Sequence, residues 1–151
     1  MLKGLLVGIV ALIVVAPAAG ATMTSPESQL LRQMNLVRAQ HHLQPLRFDA
    51  RLEQAARFHS REMIAGGVFA HGAFGSRMAR FDIQGTFAGE NLAWGTGSLG
   101  TAQGVVASWL ASPEHRANLL RPSFRRVGVG ELTGTFHGYG GARVVTADFA
   151  G

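Results

Sequence analysis

The stretch Phe87–Trp94 reads FAGENLAW, and it places one carboxylate, Glu90, among apolar neighbours. Burying an ionised carboxylate is costly unless it is hydrogen-bonded, paired with a positive charge or bound to a metal. Two histidines also stand in unusual settings, since His71 ends an apolar run and His115 falls in the first turn of an expected helix. We therefore expect the fold to bring His71, Glu90 and His115 together at one cleft.

Residues 1–21 have the composition of a secretory signal peptide. Lys3 supplies a positive start, Leu5–Val15 is an apolar run, and Ala19–Ala21 has the small residues of a cleavage site. A membrane anchor is the alternative, but the apolar run is shorter than the roughly 20 residues of a spanning helix. We expect cleavage after Ala21, no stable transmembrane segment after cleavage, and a periplasmic or extracellular location.

Composition limits the classes of partner. The 151 residues include 14 Lys and Arg against 9 Asp and Glu, and they include no cysteine. A secreted domain without disulfides depends on a packed core, and any bound metal requires His, Asp or Glu ligands. The positive charge favours contact with anionic cell-envelope material. Because no basic run with interleaved aromatic residues occurs, we expect no nucleic-acid partner.

The order of the expected elements predicts an α+β domain. Residues 22–29 are expected to form a linker and residues 30–151 a single domain. FAGENLAW is interpreted as a loop that passes into a short strand or turn. Apolar spacing and capping residues predict helices over 25–41, 49–66, 77–83, 101–111 and 113–120, and paired strands over 127–132 and 143–149. Helices that precede strands favour a layered α+β arrangement.

A series of segments shares its order and spacing with one protein family. These segments are Asn35–Arg38, Pro45–Asp49, Phe69–His71, Gly89–Ala93, Trp109–Leu120, Val127–Gly130 and Asp148–Phe149. Together they resemble the CAP superfamily of cysteine-rich secretory, antigen 5 and pathogenesis-related proteins, in its cysteine-free bacterial SCP-like extracellular branch. The resemblance implies a three-layer α-β-α sandwich with a central antiparallel sheet.

The same resemblance implies a metal site. In many family members, two histidines and two glutamates line a central cavity and can hold a divalent metal. His71, Glu90 and His115 match three of these positions, whereas Ser112 replaces the second glutamate. We therefore expect a weaker site for an ion such as zinc. The residues expected around the rim of the cleft are Asn91, Ser112, Glu114, Arg116 and Asn118.

Simpler interpretations stand beside these. His71, Glu90 and His115 could form a hydrogen-bonded cluster that orders the loops without a metal. His59 is expected to be a core histidine satisfied by a hydrogen bond. Ser112 is expected to cap a helix rather than act as a nucleophile, because no nucleophile motif surrounds it.

Three functional hypotheses remain. The favoured one is a secreted binding module, whose His/Glu cleft holds a divalent metal or a small apolar or glycan ligand at the cell envelope. The alternative is a metal-assisted hydrolase of peptides or esters, with Glu90 as ligand or general base. The missing second glutamate argues against hydrolysis. The third hypothesis is a structural scaffold for protein–protein contact.

Overall fold

The computed structural model describes residues 22–151, so the expected signal peptide, residues 1–21, lies outside the described residues. The helices are α1 (Ser25–Gln40), α2 (Ala50–Gly66), α3 (Phe74–Arg80), α4 (Ala102–Ala111) and α5 (Pro113–Leu119), with a 3-10 turn at Gly97–Gly100. The strands are β1 (Arg47–Phe48), β2 (Ala88–Gly95), β3 (Arg126–Phe136) and β4 (Tyr139–Ala150). FAGENLAW is therefore mostly strand.

The strands form one sheet in the order β1-β3-β4-β2. The three long strands pair antiparallel, and their register places Glu90 of β2 opposite Asp148 of β4. The two-residue β1 pairs in parallel with β3. The predicted antiparallel sheet is confirmed for the long strands. The strand β1, which the sequence did not predict, makes the whole sheet mixed.

Helices cover both faces of this sheet. On one face, Leu30 of α1 and Trp109 of α4 share a buried core with Phe149 of β4. On the other face, Leu52 of α2 packs near the end of β4, and Met63 of α2 packs on the middle of the sheet. Alternate residues of a strand point to opposite faces, so each layer receives every second side chain. The predicted three-layer α-β-α sandwich is confirmed.

The first helix begins inside the span 22–29, which the sequence suggested as a linker. The pair Ser25-Pro26 predicts Ser25 as the N-cap of this helix. In the structure Thr24 is the N-cap residue, and it exchanges hydrogen bonds with Glu27 in a capping box. Glu27 is fully buried, and its carboxylate accepts a hydrogen bond from Arg57 of α2 at 2.7 Å. The start of α1 is therefore part of the folded domain.

The two tryptophans have different environments. Trp109 is 1% exposed and donates its indole N–H to the carbonyl of Leu92 at 2.9 Å, so it is a core residue. Trp94 is half-buried and stacks against His137, with 5.4 Å between ring centroids. His137 lies in the turn between β3 and β4. Segment 133–141, expected as a loop, instead extends both strands up to this short turn.

The second helix approaches β3 unusually closely. Its expected bounds are confirmed, since Asp49 caps its start and Gly67 ends it in a left-handed conformation. A Cβ atom added at Gly130 of β3 would lie only 2.3 Å from the backbone carbon of Ala56. Ser60 donates its hydroxyl to the Gly130 carbonyl at 2.8 Å. The absence of a side chain at this glycine lets helix and sheet meet.

Gly130→Ala should reduce the free energy of unfolding by about 3 kcal/mol or more, because the added methyl group collides with helix backbone. Gly140→Ala is the matched control, since an added Cβ there meets nothing within 4 Å. The control should change stability by less than about 0.5 kcal/mol. Urea denaturation measures both, and an equal effect of the two substitutions would contradict the close approach.

Candidate functional site

Side chains from two neighbouring segments hold the Glu90 carboxylate. Oε1 accepts a hydrogen bond from Nδ1 of His71 at 2.6 Å, and Oε2 accepts one from the buried Arg77 of α3. Glu90 is 6% exposed, whereas the His71 side chain is 58% exposed. The structure thus joins two of the three expected residues and adds an arginine that the sequence analysis placed only in a helix.

Asp148 is the second acid of this cluster. It is fully buried, it lies opposite Glu90 in the sheet, and its Oδ1 is 3.6 Å from Nη2 of Arg77. Burial raises the pKa of Asp148 well above its ordinary value, and the charge of Glu90 raises it further. Burial also raises the pKa of Glu90 to about 7, although Arg77 opposes this shift. Asp148 therefore holds its proton to a higher pH than an ordinary aspartate does, and Glu90 titrates near neutrality.

His59 of α2 lies at the buried side of the cluster. Its Nε2 donates to the carbonyl of Ala70 at 2.9 Å and lies 3.8 Å from Oε2 of Glu90. Burial lowers the pKa of His59, and the charge of Arg77 lowers it further, so this ring is neutral. The expected buried, hydrogen-bonded histidine is confirmed. Its bond to Ala70 fixes the loop that presents His71.

His115 borders the site from the third side. It is half-buried in the first turn of α5. Burial lowers the pKa of His115, and the neighbouring His71 lowers it further. The two imidazoles are thus within electrostatic range of each other. In the described part of the chain no hydrogen bond joins the His115 ring to Glu90, so His115 borders the cluster without entering it.

Two buried or half-buried amides position α5 beside β2. Asn91 is fully buried and donates to the carbonyl of His115 at 2.9 Å. Asn118 donates to the carbonyl of Glu90 and to Oδ1 of Asn91, both at 3.1 Å. Both amides were expected at the rim of the cleft. Because they bind protein groups, they fix the position of His115 instead.

The remaining rim residues lie at the start of α5. Ser112 occupies the N-cap position before Pro113, as expected, but its side chain makes no capping hydrogen bond. Glu114 and Arg116 are exposed. Burial lowers the pKa of His115, and the charge of Glu114 opposes this effect. Of these three residues, Glu114 is the one whose charge affects the pKa of His115.

The donor set fits a metal only in part. Between residues 22 and 151 no group of three or more His, Asp or Glu side chains is arranged to hold a metal ion. Both oxygens of Glu90 are engaged, and the guanidinium of Arg77 repels a dication at this carboxylate. The hydrogen bond on Nδ1 leaves Nε2 of His71 for a ligand. A carboxylate behind a histidine is the common outer-shell arrangement of metal sites.

Arg77 and Asp148 are site residues that the sequence pattern did not predict. Asp148 carries a usable signal, because it is an acid within the apolar strand segment 144–149, as Glu90 is within FAGENLAW. Arg77 carries no such signal. It is one of two arginines on α3, and only the docking of that helix determines which one reaches the carboxyl groups.

Fold and side-chain cluster together define an SCP-type α-β-α sandwich domain, in which His71, Arg77 and Glu90 are joined by hydrogen bonds. The sequence pattern described as "CAP: Cysteine-rich secretory protein family" matches residues 31–149. The chain is 34% identical to the Bacillus subtilis protein YkwD over 118 residues, which cover 75% of this chain and 45% of YkwD. The membrane protein YlbC of the same organism is 30% identical over 112 residues, which cover 71% of this chain and 32% of YlbC. The chain therefore belongs to the CAP family. It spans less than half the length of these two relatives.

Solved structures share the fold. An extracellular protein containing an SCP domain from Bacillus anthracis has a TM-score of 0.67 and 30% identity, covering 83% of this chain and 40% of that one. An outer surface protein from Borrelia burgdorferi has a TM-score of 0.70, and the match covers 86% of this chain and 96% of that one. Its 22% identity limits that likeness to the fold. From residue 22 onward, no helix is both long and apolar enough to cross a membrane.

The raised pKa of Glu90 predicts a pH-dependent loss of stability. Its pKa is about 7 in the folded protein against 4.5 ordinarily, so the stabilising proton is lost as the pH rises through 7. The unfolding free energy of the wild type, relative to Glu90→Gln, should fall by on the order of 3 kcal/mol between about pH 4 and pH 8. Chemical denaturation across this range measures the difference.

Asp82→Asn is the control for this experiment, because the Asp82 side chain is 67% exposed. It should show no comparable change with pH. A constant difference between the wild type and Glu90→Gln would contradict the protonated, buried state of the cluster.

Proposed function

We propose that this chain is a secreted binding module, which takes its ligand at the cleft bordered by His71 and His115. One observation carries this proposal. Both oxygens of Glu90 are engaged by protein donors, while the His71 side chain is 58% exposed and keeps one ring nitrogen for a ligand. In this arrangement the imidazole contacts the ligand, and the carboxylate orients the imidazole.

Secretion to the cell envelope is the setting of the proposal. The signal-like composition of residues 1–21 supports it. Similar structures include an extracellular protein and an outer surface protein. The excess of 14 Lys and Arg over 9 Asp and Glu favours contact with anionic envelope material.

Hydrolysis receives less support from the same geometry. A general base must be within reach of the proton that it removes and be able to accept it. Glu90 already accepts hydrogen bonds from His71 and Arg77. Within the described chain, Ser112 has no histidine in hydrogen-bonding contact, so it lacks the base that activates a nucleophile. These contacts favour binding over catalysis.

A divalent metal such as zinc is the first ligand to test. Neutral imidazoles are common zinc ligands, and a carboxylate hydrogen-bonded to the other ring nitrogen orients such a ligand. His71 and His115 would hold the ion, with Glu90 behind His71. Two protein ligands leave most of the coordination positions open, so we expect modest affinity.

A small apolar or glycan ligand is the other candidate, and a group of aromatic residues favours it. Phe69, two residues before His71, is 38% exposed and packs edge-on against Phe136. Trp94 and the 57% exposed Tyr139 lie further along the same side, with ring centroids 5.8 Å apart. Aromatic walls with a few polar groups are typical of small-molecule sites.

Calorimetric titration of the mature protein with zinc chloride tests the site. His71→Ala and His115→Ala should each weaken binding by about tenfold or more. His41→Ala is the control, because His41 is exposed at the end of α1. Affinity should fall as the pH is lowered, because an imidazole binds a metal ion only in its neutral form.

Equal zinc binding by the three variants would contradict the location of the site. Absence of zinc binding by the wild type would exclude the metal as ligand. In that case, co-sedimentation with purified cell-wall polysaccharide tests the glycan, and His71→Ala should reduce the bound fraction while His41→Ala does not.

A further inference from the structure

Arg38 of α1 is a fully buried cation. Its guanidinium donates to the carbonyls of Gln44, Leu119, Arg121 and Phe124, at distances between 2.8 and 3.1 Å. No carboxylate of the described chain forms an ion pair with it. Arginine keeps its proton in proteins, so a positive charge remains beneath this surface without an opposite charge.

Two exposed arginines lie beside this buried charge. Arg47 of β1 donates its backbone N–H to the carbonyl of Arg125 at 2.9 Å, so the two residues are neighbours across strands. Together with Gln44 and Pro45 they line a pocket of about 380 Å³, which we call the arginine pocket. The Gln44 carbonyl accepts from Nε of Arg38 at 2.9 Å, which connects the pocket wall to the buried cation.

The charges of this group are not balanced by acids. Burial lowers the pKa of Arg38, and the charge of Arg125 lowers it further, so these cations act on each other. Among residues 22–151, neither Arg47 nor Arg125 forms an ion pair. Their neighbour Arg126, in contrast, binds Asp49 at 2.7 Å. Clustered charges of one sign create a local potential that attracts ions of the opposite sign.

We propose that the arginine pocket binds a phosphate group of a soluble, phosphodiester-linked polyanion of the cell envelope. Guanidinium groups match the oxygens of phosphate in a bidentate way, and Arg47 and Arg125 line the same pocket. The side-chain amide of Gln44 provides a further donor. The inference does not depend on the imidazole cleft, which uses other residues.

A membrane surface suits the arginine pocket less well than a soluble polymer does. Proteins that lie in a membrane interface insert apolar side chains next to their basic residues. None of the exposed large apolar residues lines this pocket. In the described chain these residues are Leu36, Val68, Phe69, Phe87, Leu99 and Tyr139. The pocket offers charge and amide groups, which suit a hydrated polyanion.

Binding of the mature protein to synthetic poly(glycerol phosphate) tests the proposal. The double variant Arg47→Gln/Arg125→Gln should bind about tenfold more weakly or worse, because it loses two charged donors. The control is Arg32→Gln/Arg61→Gln, which removes the same net charge from two other exposed arginines. The control should retain most of the affinity, and wild-type affinity should fall with increasing salt.

Three results would overturn the proposal. Equal weakening by both double variants would assign the binding to net charge alone, and failure of the folded wild type to bind the polymer would exclude it. Binding to phosphatidylglycerol vesicles without binding to the polymer would assign the surface to a membrane.

Thermal unfolding verifies that each variant is folded, and Arg47→Lys/Arg125→Lys separates guanidinium geometry from charge. Zinc titration of the double variant should match the wild type, so this test is independent of the imidazole cleft.

Discussion

The guanidinium of Arg77 lies between two buried carboxyl groups, and the position of the Glu90 carboxylate depends on it. Removing charges from water is costly, and their attraction compensates only when the partners are well placed. Arg77 connects α3 to Glu90 of β2 and faces Asp148 of β4. With Oε2 of Glu90 held in this way, Oε1 is directed to His71. The Arg77 cation thereby fixes the position of the Glu90 carboxylate, the orientation of the His71 imidazole and the docking of α3 on the sheet.

The chain stabilises two buried arginines in different ways, and the difference separates two surfaces. Arg77 contacts the carboxyl groups of Glu90 and Asp148, and Glu90 in turn orients the exposed imidazole of His71. Arg38 is satisfied by carbonyl oxygens, which provide hydrogen bonds but no opposite charge. The first arrangement suits a ligand that binds histidine, and the second suits an anion. The two surfaces use different residues, so each can be tested without disturbing the other.

Local chemistry in the sequence explains what could be predicted. The cost of burying Glu90 identified the site, and the capping residue Asp49 gave the start of α2. The family resemblance supplied the layers, which local patterns alone do not determine. Arg77 and the strand β1 escaped prediction, because each depends on contacts between segments distant in sequence. Thr24 was missed as the cap of α1 because a Ser-Pro pair followed it and matched the usual signal equally well.

The protonation state of the carboxyl pair, Glu90 and Asp148, tests this account most directly. Carbon-13 NMR of the two side-chain carboxyls, assigned through Glu90→Gln and Asp148→Asn, follows each titration. The account predicts that Glu90 titrates with a pKa of about 7 and that Asp148 keeps its proton well above its ordinary range. Titration of both groups near their ordinary values, 4.5 and 3.8, would contradict it.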